Sequence, residues 1–250
     1  MDHRLTKSYK AVFIDWDDTI GDFVGAAKRA LRDMYEKYNL SDYFDSHEEF
    51  VSLYKPHNIE LWDKYGKDLV TKDYLSLDRF LFPLMHGSKT IKNFELGIKN
   101  HSVLFELAQK MSEEFLRLTT NYFSLLDGAE ELVRYLSKKY PLTVVTNGFV
   151  EVQYEKFEKS GLQDCFAHIV LSEEVGCQKP NAQIFEEALR RNGVSADEVI
   201  MIGDSWNSDI QGASNAGIDQ IWVRWNNEQN ESEKKATCMV GNLREIMEIL

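Results

Sequence analysis

Positive charge is scarce in this chain. Lys and Arg together number 29 against 41 Asp and Glu, a net charge of −12. Nucleic-acid backbones are held chiefly by clustered Lys and Arg, so the balance argues against a polymeric nucleic-acid partner. It also means that any anionic substrate must find a local cation. Cysteine is scarce too. Cys165, Cys177 and Cys238 show no CxxC or other metal-ligand spacing and are odd in number, which excludes a disulfide framework and fits a reducing cytoplasm. No apolar run approaches the ~20 residues of a membrane span, and residues 1–7 have no signal-peptide character, so a cytoplasmic location without a membrane partner is expected. No G-x-G-x-x-G follows the first apolar run, which removes the dinucleotide-binding reading, and no internal repeat is evident.

What is present is enough apolar material for a sizeable core. At 250 residues and 43% hydrophobic, the chain suits one or two domains of ~100–200 residues each. Residues 11–14 form a short apolar run of buried-strand type, followed by helical spacing over residues 21–38. From there to about residue 122 the pattern stays helical, with Pro56, Pro83 and His86-Gly87-Ser88 as punctuation. Beyond Leu126 short apolar runs (142–145, 169–171, 199–202, 220–223) alternate with helical stretches (129–138, 152–159, 182–192, 210–216). Such alternation predicts an α/β fold, a Rossmann-like parallel sheet with helices on both faces. A structureless loop of a hundred residues is implausible, so the helical insertion is expected to be a second small domain. The division is residues 1–21 and 123–250 for the α/β core and 22–122 for an all-helical cap. Residues 226–235 read as a polar surface loop, and 243–250 as a short terminal helix.

Four ordered segments carry the chemistry. They are Phe13-Ile14-Asp15-Trp16-Asp17-Asp18-Thr19, Val145-Thr146-Asn147-Gly148, Gln178-Lys179-Pro180, and Ile202-Gly203-Asp204-Ser205-Trp206-Asn207-Ser208-Asp209. Three of them follow strand-type runs, and ligands of open parallel sheets bind beyond the carboxyl ends of the strands. Asp15 and Asp17 fall on one side of an extended chain. Taken singly, each segment has a plainer reading. Asp18 and Thr19 suit a helix cap, Thr146-Asn147-Gly148 a turn, Lys179-Pro180 a helix entry, and Asp209 the cap of residues 210–216.

Together, in this order, the segments resemble the haloacid dehalogenase (HAD) superfamily of aspartyl-phosphate hydrolases. The wording around them (Gly148-Phe149 with Val152-Gln153-Tyr154, and Gly203-Asp204-Ser205-Trp206) resembles its pyrimidine 5′-nucleotidase branch. The resemblance implies a Mg²⁺-dependent phosphatase, with Asp15 as nucleophile and Asp17 as general acid and base. Thr146, the Asn147 amide and Lys179 would hold the phosphate, Lys179 also balancing charge on the nucleophile. Asp15, Asp204 and the backbone carbonyl of Asp17 would form the Mg²⁺ cage, with Asp209, Ser205 and Thr19 outside it. Phosphomonoester hydrolysis needs up to ~10²¹-fold acceleration, more than one group supplies, and the resemblance implies that a covalent intermediate on Asp15 and proton transfer by Asp17 share the task.

The implied substrate is a small phosphorylated metabolite, a nucleoside 5′-monophosphate first. A sugar phosphate, a phosphoglycolate-type ester and pyrophosphate follow. A 2-haloacid dehalogenase would need neither Asp17 nor Asp204. In a phosphoacceptor signalling module the acidic pair precedes the phosphorylated Asp instead of leading the chain. In the resembled family an insertion at this point is a cap that closes over the active site, and a monomer or weak homodimer is expected.

Overall fold

The computed structural model describes residues 7–95, 101–225 and 235–250. Most of the 226–235 stretch therefore lies outside the described residues. The chain divides into two compact units, Met1–Phe23 with Phe123–Leu250, and Val24–Tyr122.

In the first unit six strands form one parallel sheet in the order β3-β2-β1-β4-β5-β6. They are β1 Ala11–Ile14, β2 Leu142–Thr146, β3 His168–Leu171, β4 Val199–Gly203, β5 Asp219–Val223 and β6 Cys238–Val240. Every residue of β1, β2 and β4 is buried. A strand covered on both faces reads as a continuous apolar run instead of an alternating one, which is why these three were visible in the sequence. Alternate side chains feed two cores. Val12, Ile14, Val144, Ile200 and Ile202 pack with Leu132, Val133 and Leu136 of α6 (Ala129–Leu136) and with α11 (Ile246–Ile249). Ala11, Phe13, Val145 and Met201 pack with Ile184, Phe185 and Ala188 of α9 (Ala182–Asn192). The remaining helices of this unit are α7 Val150–Ser160, α8 Ser172–Val175 and α10 Gln211–Asn215.

Two features of this unit depart from expectation. The helix expected over 210–216 begins as a π-helical turn, Trp206–Ile210, capped by the Ser205 hydroxyl and passing into α10. Asp209 lies inside that turn and does not cap it. The C-terminal segment is split into a 3₁₀ turn, Leu243–Glu245, and α11. Strand β6 went unforeseen because Cys238-Met239-Val240 is short and only Val240 is buried.

The second unit is helical throughout its described residues, and α1 (Phe23–Lys37) leads into it from the core. It contains α2 His47–Gly66, α3 Lys72–His86, α4 Ser88–Glu95 and α5 His101–Asn121. Ser46 and Thr71 start α2 and α3 by accepting the backbone N–H groups of Glu49 and Tyr74. Pro56 and Pro83 punctuate nothing. Each sits inside a helix. A helix-interior proline costs about 3 kcal/mol, and α3 meets that cost by packing against α2 and α5 around Tyr54, Phe80, Leu84 and Phe115. The stretches leading into and out of this unit run side by side within the core. Gly21 bridges Leu125, the Asp22 N–H donates to the Ser124 carbonyl at 2.9 Å, and the Leu126 N–H to the Ile20 carbonyl at 2.9 Å.

Candidate active site

The three strands that end in motif residues, β2, β1 and β4, are neighbours in the sheet. Their carboxyl ends therefore lie about 5 Å apart from strand to strand. Trp16, between the two leading aspartates, is fully buried and meets the Phe157 ring edge-on at 4.4 Å. Asp15 and Asp17 flank it.

Asp15 is nearly buried and held from two sides. Lys179 Nζ approaches its Oδ1 at 2.5 Å, and the Thr19 hydroxyl lies 3.1 Å from its Oδ2. The same hydroxyl lies 3.0 Å from Asp204 Oδ1 and accepts the Asp204 N–H at 3.1 Å. Thr19 is thus not a helix cap, since its oxygen joins two of the motif carboxylates. Lys179 also bonds Asp209 Oδ1 at 2.7 Å and the Val145 carbonyl at 2.7 Å. Asp209, fully buried, accepts the Ser205 N–H through Oδ2 at 3.0 Å. The wide π turn brings it back against the strand end, where a Cβ on Gly203 would stand 2.5 Å from its carboxylate. Ser205 uses its hydroxyl to accept the Ser208 N–H.

Carboxylate oxygens of Asp15, Asp204 and Asp209 all lie within 4.8 Å of one another. One buried ammonium, that of Lys179, pairs with two of these three carboxylates. Burial pushes the Asp15 carboxyl up to about 7, reinforced by Asp209 and Asp17 and opposed by Lys179. Burial, with Asp209, Asp15 and Asp18, pushes Asp204 up to about 8. Burial would lower Lys179, but Asp15 and Asp209 outweigh it and hold the ammonium above its ordinary range. The cluster is short of positive charge. An all-oxygen set of this kind fits a hard divalent cation such as Mg²⁺.

The phosphate-binding candidates sit on the β2 side. The Thr146 hydroxyl accepts the Gly148 N–H at 3.2 Å and the Gln153 amide at 2.8 Å, which leaves its own proton for another acceptor. The Asn147 side chain is engaged otherwise. Its Nδ2 donates to the Lys179 carbonyl at 2.9 Å and its Oδ1 accepts the Lys179 N–H at 2.8 Å, which ties the third segment to the second. Pro180 does not open α9. The Lys179-Pro180 peptide is cis, and Asn181 caps the helix that starts at Ala182.

Two site residues were not singled out from the sequence. Lys156 Nζ pairs with Asp17 Oδ1 at 2.7 Å, and Gln153 Nε2 donates to Asp17 Oδ2 at 2.8 Å. Both are buried on α7 beside Val152 and Phe157. The available signal was positional, because residues 152, 153, 156 and 157 share one helical face and two of the four are polar.

With this geometry in place, likeness to known proteins is specific. The family model for haloacid dehalogenase-like hydrolases matches residues 9–217. The chain is 32% identical over 245 residues to the HAD-hydrolase YfnB of Bacillus subtilis, covering 98% of this chain and 96% of that protein. A crystal structure of YfnB bound to magnesium superposes with a TM-score of 0.77 at 30% identity, covering 96% and 97% of the two chains. The pyrimidine 5′-nucleotidase YjjG of Escherichia coli is 28% identical, with 96% of each chain covered. A glyceraldehyde 3-phosphate phosphatase of Methanothermobacter thermautotrophicus is 35% identical over 90% of this chain and 89% of that one. The six-stranded parallel sheet, the ordered motif residues and these likenesses agree, and the chain belongs to the haloacid dehalogenase-like hydrolases.

Proposed function

We propose that this enzyme hydrolyses a small organic phosphomonoester with Mg²⁺, through a phosphorylated Asp15. The observation that carries the reading is the setting of Asp15. It is a nearly buried carboxylate at the end of the central strand, fixed by Lys179 and Thr19, with Asp17 tied through Gln153 to Thr146. In the first half-reaction an Asp15 oxygen attacks phosphorus and the bond to the leaving oxygen breaks. Asp17 gives that oxygen its proton. In the second, Asp17 takes a proton from water as the water attacks the same phosphorus, and the P–O bond to Asp15 breaks to release phosphate. Lys179 offsets charge on Asp15 and the phosphoryl group, and the Thr146 hydroxyl donates to a phosphoryl oxygen. Asp15, Asp204 and the backbone carbonyl of Asp17 would hold Mg²⁺, which when bound neutralises phosphoryl charge. Asp209 orients Lys179, while Ser205 and Thr19 brace the surrounding turns.

For the substrate we favour a nucleoside 5′-monophosphate, supported by likeness to YjjG across nearly the whole chain. A triose phosphate is the second reading, supported by the 35% identical archaeal phosphatase. The helical unit is proposed to choose among leaving groups. Exchanging it for that of a relative should then reorder kcat/KM across substrates. Unchanged relative values would remove that role.

The direct test is a panel of UMP, dUMP, glyceraldehyde 3-phosphate, phosphoglycolate, pyrophosphate and chloroacetate, assayed with Mg²⁺. Borohydride reduction followed by mass spectrometry should mark Asp15, and Asp15→Asn should abolish both label and turnover. Asp17→Asn should slow turnover by ~10²–10⁴-fold. Full activity after chelation, or a label on Asp17 or Asp204, would overturn the reading.

A further inference from the structure

Helix α7 contributes two polar side chains that the scheme above leaves without a task. Gln153 is fully buried and Lys156 is 3% exposed. The Gln153 Nε2 group donates to Asp17 Oδ2 and to Thr146 Oγ1, 2.8 Å each, which uses both of its hydrogens. Turning the amide over would set its oxygen against the Asp17 carboxylate, so the orientation is determined. Its own Oε1 is left buried without a partner among the described residues. Space for this amide is also reserved, because a Cβ on Gly148 would stand 1.9 Å from Gln153 Nε2. Lys156 completes the grip at 2.7 Å from Asp17 Oδ1, its ammonium 5.0 Å over the Phe23 ring. Both oxygens of the Asp17 carboxylate are therefore engaged from one helix.

We infer that Gln153 and Lys156 are positioning residues that fix the Asp17 carboxylate relative to the phosphate-gripping Thr146. The inference deepens the proposed phosphatase reading and rests on it. Gln153 acts as a spacer of one amide width between the proton-transfer group and the phosphate hydroxyl. Lys156 stops the carboxylate from rotating about its Cβ–Cγ bond. A proton donor must reach the leaving oxygen at hydrogen-bond distance, and an error of about 1 Å can cost about 10²-fold in rate.

The discriminating experiment varies the leaving group. An alkyl phosphate such as UMP needs protonation as its bond to phosphorus breaks, whereas p-nitrophenyl phosphate releases a stable phenolate and needs little. Lys156→Met should slow release of the leaving alcohol from UMP in a single turnover by about 10–100-fold with KM changed less than about 3-fold, and release of p-nitrophenolate by less than about 3-fold, whereas hydrolysis of the phosphorylated Asp15, in which Asp17 is the base, should slow alike whichever ester formed it. Lys156→Arg should recover part of the loss. Gln153→Ala should show the same leaving-group dependence and in addition weaken inhibition by inorganic phosphate, because Thr146 loses its tether. Equal losses for both substrates in the leaving-group step, or an unchanged or faster rate of that step with UMP, would overturn the inference. Should Lys156→Met fail to fold, Lys156→Arg and Gln153→Asn carry the same test, since each moves the donor without removing it. The two readings fail separately. If wild-type protein hydrolyses neither ester, the phosphatase proposal falls. If it hydrolyses both with the label on Asp15 but the variants ignore the leaving group, only the positioning role falls.

Discussion

Each unit of the molecule buries a cation, and the two are held in opposite ways. In the core, Lys179 touches Asp15, Asp209 and the Val145 carbonyl, all within 2.7 Å. In the helical unit, Arg79 is 2% exposed and lies against rings, 5.3 Å from the Phe80 centroid and 4.9 Å from that of Phe115. Its Nε and Nη2 have no hydrogen-bond partner among the described residues. Burial pushes the guanidinium below its ordinary range, with the Tyr54 hydroxyl opposing. Lys179 is one member of an ionic constellation and cannot be removed without stranding anions. Arg79 is a charge accommodated by aromatic faces, whose removal strands nothing. The contrast teaches that burial of a charge does not by itself mark a working group; the partners do.

The largest effect that would break this contrast belongs to Lys179→Met. Removing one partner of a buried ionic cluster costs about 3–5 kcal/mol, so the melting temperature of the chelated protein should fall by roughly 6–20 °C. Turnover should be lost, and Mg²⁺ should restore part of the stability because it supplies the missing positive charge. A melting temperature within 2–3 °C of wild type, read by calorimetry, would show that the cluster does not depend on the lysine.

A smaller effect follows from pH. Asp15 and Asp204 are held at about 7 and about 8, above the ~4 of an unfolded aspartate, by burial first and then by neighbouring carboxylates. A raised folded value favours the protonated form. Its stabilising contribution is complete below about pH 4 and is lost as pH rises through 7 to 8. The melting temperature of chelated protein should therefore drop by several degrees between pH 5 and pH 8.5, and Mg²⁺ should flatten the curve. A chelated protein that grows more stable across this window would refute the charge deficit assigned to the cluster.

The smallest effect is Arg79→Met. An apolar side chain of similar length avoids the desolvation of a guanidinium but gives up cation–π attraction worth up to ~2 kcal/mol per ring. The two nearly cancel. The melting temperature should stay within about 4 °C of wild type, and kcat for p-nitrophenyl phosphate should be unchanged. A larger fall would mean that Arg79 has an anionic partner, and the two units would then treat buried charge alike.

The same division governs what the sequence could disclose. Strands β1, β2 and β4 were legible because strands buried on both faces must be continuously apolar, and the motif residues because they follow those runs in a fixed order. For Thr19 the residues alone suggest a helix cap, because a hydroxyl after Asp-Asp is usually local; only the order of the motifs points it toward the cage, and its partner Asp204 is contributed by a different strand. Gln153, quoted only within the wording of the resemblance, and Lys156 were given no role because polar residues on an amphipathic helix are ordinarily assigned to solvent. Only the partner Asp17, remote in the chain, shows that this face is buried. In the helical unit, prolines 56 and 83 misled for a related reason, since local propensity yields to packing that a linear pattern does not display. Local rules were reliable where one element determines a residue's surroundings. They failed where two distant elements meet.

The central position of β1 has a kinetic meaning. Val12 pairs with Leu142 and Ala11 with Val199, so the first strand formed at the ribosome finds its neighbours only after the helical unit and much of the core have been made. Closing loops of that length is slow, and no local hairpin can stand in for the missing strands. Asp15 therefore has neither Lys179 nor Asp204 beside it until β2 and β4 have docked on β1. Catalysis in this enzyme is a late product of folding, and regained activity after denaturation marks a completed chain, not a structured fragment.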